Sequence, residues 1–170
     1  MSDVTGNVNP PLVRHESLRP LSRDHYQGLV QSQRLLAIGA SNGLHPYAVL
    51  KDFVDKWKGE IACHFEDEEL LLPLLIASDA DRERLHQEHT MLRSMTARLT
   101  DDLIRGAYDP DAVRRLGQLL HDHIRWEERV LFEGIQTSAT ADQLRELAEA
   151  TARIEQSRNR RSCRNCGTSP

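Results

Sequence analysis

The chain has 170 residues, enough for one domain with a sizeable core and short for two. Charged residues make up 28% and apolar ones 39%, ordinary values for a globular protein, and a formal net charge of −4 argues against a general nucleic-acid or anionic-membrane surface. No apolar run approaches the ~20 residues a membrane span needs, and the first ten residues lack the basic start and apolar centre of a secretory signal, so a cytoplasmic location is expected.

Residues 1–17 are polar and carry the Pro10-Pro11 pair, which predicts an irregular arm. A first helix should start near Pro20 and run to about Ala40, with Leu18, Leu21, His25, Leu29, Ser32 and Leu36 facing inward. Ser41-Asn42-Gly43 should stop it, and Pro46 should open a second helix to residue 72. There Leu50, Phe53, Trp57, Ile61, His64, Glu68 and Leu71 recur at steps of three and four. A histidine and a glutamate thus hold core positions, and a buried carboxylate needs a positive charge or several hydrogen bonds. A third helix, capped by Ser78 or Asp79 and reaching about Arg105, turns Leu85, His89, Leu92, Thr96, Leu99 and Leu103 inward. After a turn at residues 106–110, a fourth should reach about Phe132 with Val113, Leu116, Leu120, His123, Glu127 and Val130 inside. Short connections favour antiparallel neighbours, so the expected fold is all-α, an antiparallel up-and-down four-helix bundle over residues 18–135. A fifth helix within 136–157, with Leu144, Leu147, Ala148, Thr151 and Ile154 on one side, should pack across the bundle or pair with another subunit. Residues 158–170 read as a flexible Arg/Cys tail.

The second and fourth helices repeat one pattern. His64-x-x-x-Glu68-Glu69 and His123-x-x-x-Glu127-Glu128 each place an imidazole one helical turn from a carboxylate, on the same face. The first and third helices match as Asp24-His25 and Glu88-His89. Each half therefore supplies one histidine from its first helix and a His/Glu pair from its second. The candidate metal ligands are His25, His64, Glu68, His89, His123 and Glu127. Six such residues inside a bundle fit a dinuclear carboxylate site, and nitrogen and oxygen donors suit iron, with manganese or zinc as alternatives.

The order, histidine first and histidine-rich, differs from ferritin-like Glu-x-x-His sites. It resembles the hemerythrin-like (HHE cation-binding) proteins over about residues 20–135. That resemblance rests on His25, His64-x-x-x-Glu68 with Glu69 and the following Leu-Leu-Pro, Glu88-His89, and His123-x-x-x-Glu127. It implies a four-helix bundle holding two non-haem irons bridged by the two glutamates and an oxo or hydroxo group. Oxygen-carrying members use five histidines, two of them four apart on the third helix, and a final aspartate. Here Leu85 stands four before His89, the nearest extra histidine is His86, and the last carboxylate is Glu127. With His86 as a weaker fifth ligand the site would be an asymmetric oxygen-binding centre. Without it, the set is closer to four-histidine, two-glutamate members linked to iron-centre repair and nitric oxide chemistry.

The other polar residues receive plainer readings. Glu66, Asp67, Glu69 and Glu128 should be solvated, His121 should point away from the site, and His15 and His45 sit in the arm and a loop. Tyr26, Cys63, Trp57 and Trp126 read as packing residues. Cys63, Cys163 and Cys166 make no disulfide framework, and the thiols should stay reduced in a reducing compartment. The first functional reading is a module that binds O₂, NO or iron in sensing or oxidative or nitrosative stress. The alternatives are a di-iron redox enzyme acting on peroxide or nitric oxide, an iron-centre repair protein, or a structural protein cross-linked by metal. The expected partners are a small diatomic ligand or peroxide, without nucleic acid or membrane, on a monomer or homodimer.

Overall fold

The computed structural model describes residues 13–38 and 45–165, with side chains placed up to Arg158. These residues are helical, and no strand occurs among them. A 3₁₀ turn, Glu16–Leu18, leads into α1, Arg19–Leu36, with Pro20 in its first turn. Next come α2, Pro46–Lys56, and α3, Ala62–Leu71, joined without a break by a π-helical turn, Trp57–Ile61. Ser78 then caps α4, Asp79–Ile104, by accepting a hydrogen bond from the Asp81 amide. Asp109 caps α5, Pro110–Trp126, which a second π-helical turn, Glu127–Leu131, joins to α6, Phe132–Ser138. The last helix is α7, Ala141–Asn165. No helix among the described residues is long and apolar enough to cross a membrane.

Several expected boundaries shift. The first helix ends at Leu36, and the expected stop at residues 41–43 lies outside the described residues, as does Cys166. The fourth helical rod continues through the π turn to Ser138, and α7 extends to Asn165 instead of ending near residue 157. Inward faces move too. Val130 is 50% exposed while Leu131 and Phe132 are buried. A π turn spends extra residues on one turn, so the apolar stripe beyond it falls at later positions than 3.6-residue spacing predicts. Leu72, not Leu71, is buried at the end of α3, and Leu35 replaces Leu36 on α1.

Two apolar clusters flank a polar layer. One contains Leu35, Phe53, Ile61, Phe65, Leu92, Leu120 and Ile124; the other contains Leu21, Leu72, Leu85, Leu131, Phe132 and Leu147. The candidate ligands fall between them on every rod. Along α1 and α4 the chain passes from the second cluster to the first, and along α2–α3 and α5–α6 it passes back. Helix α7 packs on the 3₁₀ turn and α1, where the Thr151 hydroxyl lies 3.5 Å from the Ser17 carbonyl oxygen.

The packing of α1 on α5 depends on Gly117. A Cβ there would stand 2.9 Å from Leu35 Cβ, 3.0 Å from the Ser32 carbonyl oxygen and 3.2 Å from the Leu36 nitrogen. Backbone cannot yield as a side chain can. A Gly117→Ala change therefore sets an overpacking penalty of about 1–3 kcal/mol against a helix-propensity gain of about 1 kcal/mol. Net destabilisation by about 1 kcal/mol is expected in urea unfolding, whereas Gly134→Ala, with open space around its Cβ, should be neutral or stabilising.

Candidate metal centre

His25, His64, Glu68, His89, His123 and Glu127 all come together in the polar layer, each at most 5% exposed. Every histidine turns Nε2 toward the carboxylates. His64 Nε2 is 3.1 Å from Glu68 Oε1, and His25 Nε2 is 3.4 Å from the same oxygen. His89 Nε2 is 3.5 Å from Glu68 Oε2. Around Glu127, His123 Nε2 is 3.2 Å and His89 Nε2 3.8 Å from Oε1, and His25 Nε2 is 3.1 Å from Oε2. Each carboxylate thus presents one oxygen to each side of the layer. Two groups could hold a cation: Glu68, His89, His123 and Glu127, and His25, His64 and Glu68.

These approaches do not satisfy the atoms involved. Both oxygens of Glu68, both of Glu127, and Nε2 of His25 and of His64 are buried with no hydrogen-bond partner. Leaving one buried polar group unpaired costs about 1–3 kcal/mol, and more when it is charged. Cations held in the two groups would give these buried atoms partners, so the donor set fits metal.

The outward nitrogens decide which ring atom is free. His25 Nδ1 is 2.6 Å from Glu128 Oε1, His89 Nδ1 is 2.9 Å from Glu69 Oε1, and His123 Nδ1 is 2.8 Å from Glu88 Oε2. An ionised carboxylate only accepts, so Nδ1 carries the hydrogen in each case and Nε2 is left with its lone pair inward in the neutral ring. Cations fix the carboxylates in turn. Arg14 donates to Glu128, Arg93 to both oxygens of Glu69, and Arg84 to Glu88. Ring packing holds the planes: His89 stacks on Phe65 at 4.0 Å, and His25 on Phe132 at 5.4 Å.

This outer ring departs from the solvated positions expected for Glu69 and Glu128. Glu128 was expected in solvent, but it is 8% exposed and bonded to His25, because it lies in the π turn directly after Glu127. Glu69 is half-buried between His89 and Arg93, and Asp67 pairs with Arg158. The available signal was the Glu-Glu doublet present in both halves. Glu66 is exposed, as expected. Tyr26 and Cys63 are exposed and do not pack inside. They border a cavity of about 700 Å³ that reaches His25 and His64, while Trp57 and Trp126 are buried in the two apolar clusters. His86 is exposed and outside both candidate ligand groups. His121, half-buried, turns to Asp122.

Burial disfavours the charged forms of His25, Glu68, His89, His123 and Glu127, yet their mutual charges win. Burial lowers the affinity of His25 for a proton, but Glu127, Glu128 and Glu68 hold its pKa well above the ordinary value. His89 is likewise raised, to about 9, by Glu127 and Glu68 against burial. Burial and Glu127 push the Glu68 carboxyl up, but His64 and His25 keep it below the usual range; Glu127 is lowered by His123, His25 and His89 against its own burial. Without a metal, protons on His25, His89 and His123 supply positive charge.

A family model described as the Hemerythrin HHE cation binding domain matches residues 14–135. No curated protein and no solved structure matches the chain.

Raised histidine pKa values stabilise the metal-free fold fully below the unfolded value of about 6.5, and that contribution disappears as pH rises through about 9. Urea midpoints of metal-free protein should therefore fall between pH 6.5 and 9. Metal binding must displace those protons, so calorimetric titration near pH 7 in buffers of different ionisation enthalpy should reveal proton release. A heat independent of the buffer would contradict it.

Proposed function

The chain belongs to the hemerythrin HHE cation-binding family, and from that premise we propose that it is a non-haem di-iron protein. Glu68 and Glu127 would be shared by two ions, with His25 and His64 holding one and His89 and His123 the other. The supporting observation is the convergence of buried nitrogen and oxygen atoms that have no hydrogen-bond partner. The distances from each glutamate to histidines on both sides support a bridging role. The alternating passage of the rods between the two apolar clusters supports an antiparallel up-and-down bundle over residues 18–135.

A pair of ferrous ions here would supply two electrons to a small oxidant. The protein's own contribution is positional. Glu128, Glu69 and Glu88 hold three imidazoles by Nδ1–H, and the two apolar clusters keep bulk water from the layer above and below. The cavity beside His25 and His64 offers a path by which a small molecule such as O₂ or NO would reach the centre, in keeping with a role in sensing or stress response. His86, exposed on α4, is left out of the ligand set.

Iron analysis of anaerobically loaded protein should find about two ions per chain, as in other dinuclear bundle sites. His64→Ala and His123→Ala should each lower that content and remove the visible-band change on exposure to O₂ or NO. Unchanged metal content in both variants would overturn the ligand assignment. Multiple turnovers of peroxide or NO by the loaded protein would make it an enzyme, whereas a stoichiometric, reversible spectral change would make it a binding module.

A further inference from the structure

The centre has an internal two-fold pattern with one break in it. Asp24, His25, His64, Glu68 and Glu69 in the first half correspond to Glu88, His89, His123, Glu127 and Glu128 in the second. His25 is anchored by Glu128 and His89 by Glu69, a reciprocal exchange between halves. His123 is anchored by Glu88 of its own half at 2.8 Å. The matching contact, His64 Nδ1 to Asp24 Oδ2, measures 4.0 Å and is no hydrogen bond. His64 Nδ1 is consequently buried without a partner.

The reason lies on α7. Arg158 donates through Nη1 to Asp24 Oδ2 at 2.6 Å, and through Nη2 to Asp67 on α3. The oxygen that faces His64 is thus the one Arg158 holds. Glu88, by contrast, divides its two oxygens, giving Oε1 to Arg84 and Oε2 to His123. It can serve a cation and a histidine together.

We propose that Arg158 is a positioning residue for the metal centre: by holding Asp24 it leaves His64 as the single unanchored imidazole of the four, and so ties metal retention to the docking of α7. The inference rests on the six-ligand reading above. Its physical basis is that an Nδ1–H bond to a carboxylate fixes ring orientation and raises ligand basicity, and loss of such a partner typically changes metal affinity 10–100-fold. Freed from Arg158, the Asp24 carboxylate can turn to accept from His64, and the first half then matches the second. The linkage is reciprocal, so whatever displaces the end of α7 tightens the centre. That helix lies outside residues 14–135, the part matched by the family.

The test uses the full chain loaded with zinc, a diamagnetic probe, in three forms: wild type, Arg158→Ala, and Arg158→Ala with Asp24→Ala, which removes the acceptor at position 24. Chelator-driven zinc release should be about tenfold slower in Arg158→Ala and should return toward the wild-type rate in the double variant. Imidazole ¹⁵N–¹H spectra should show three hydrogen-bonded Nδ1–H resonances from these ligands in wild type, four in Arg158→Ala and three in the double variant. A merely structural role for Arg158 would speed release and add no resonance, and that outcome overturns the proposal. Slow release that persists with Asp24→Ala also overturns it, as does a fourth resonance in the wild type. Failure of the wild type to bind two zinc ions would instead sink the six-ligand reading beneath it.

Discussion

Glu68 and Glu127 are fully buried, and none of their four oxygens has a hydrogen-bond partner. Two negative charges in that position repel each other and lose their hydration, a loss of several kcal/mol per ion unless positive charge compensates. The rest of the layer answers this constraint. Four imidazoles close around the carboxylates; His25, His89 and His123 bind protons more readily there than in water. A second circle of carboxylates, Glu128, Glu69 and Glu88, holds three of those imidazoles, and Arg14, Arg93 and Arg84 balance that circle from outside. Charge alternates outward from the centre to the rim.

The flanking apolar clusters make the alternation effective. Phe65 and Phe132 lie flat against His89 and His25, so the rings keep their orientation without further polar contacts. Close approach at Gly117 lets α5 sit against α1, the helix that carries His25. Packing and coordination therefore specify the same arrangement, and a change that spreads α1 from α5 would separate His25 from Glu127 and Glu128.

The repeat accounts for most of the site and α7 for its asymmetry. A duplicated pair of helices builds two equivalent sides, each lending the other a carboxylate. Asp24 differs from Glu88 by one methylene and by having Arg158 across from it. Those two differences, the second imposed by a helix outside the repeat, distinguish His64 from His123.

The six inner residues were legible in the sequence because helical periodicity is a strong constraint. His64, Glu68, His123 and Glu127 occupy places where 3.6-residue spacing demands core residues, and the two-fold repeat shows that this is no accident of one helix. The all-helical class, the Ser78 cap and the five rods follow from the same periodicity and from Pro, Gly and capping residues. Glu128 and Glu69 were not legible as anchors. A regular helix turns each about 100° from the ligand beside it, toward apparent solvent, and only the π turn at Glu127–Leu131 together with the neighbouring helices makes Glu128 an inward group. The same turn displaced Val130 outward. The hold of Arg158 on Asp24 joins residues 134 apart in sequence. The sequence by itself determined which side chains face the centre, because that depends on local helical repeat. Only the tertiary structure decided which carboxylate anchors which imidazole, because those partners meet across helices.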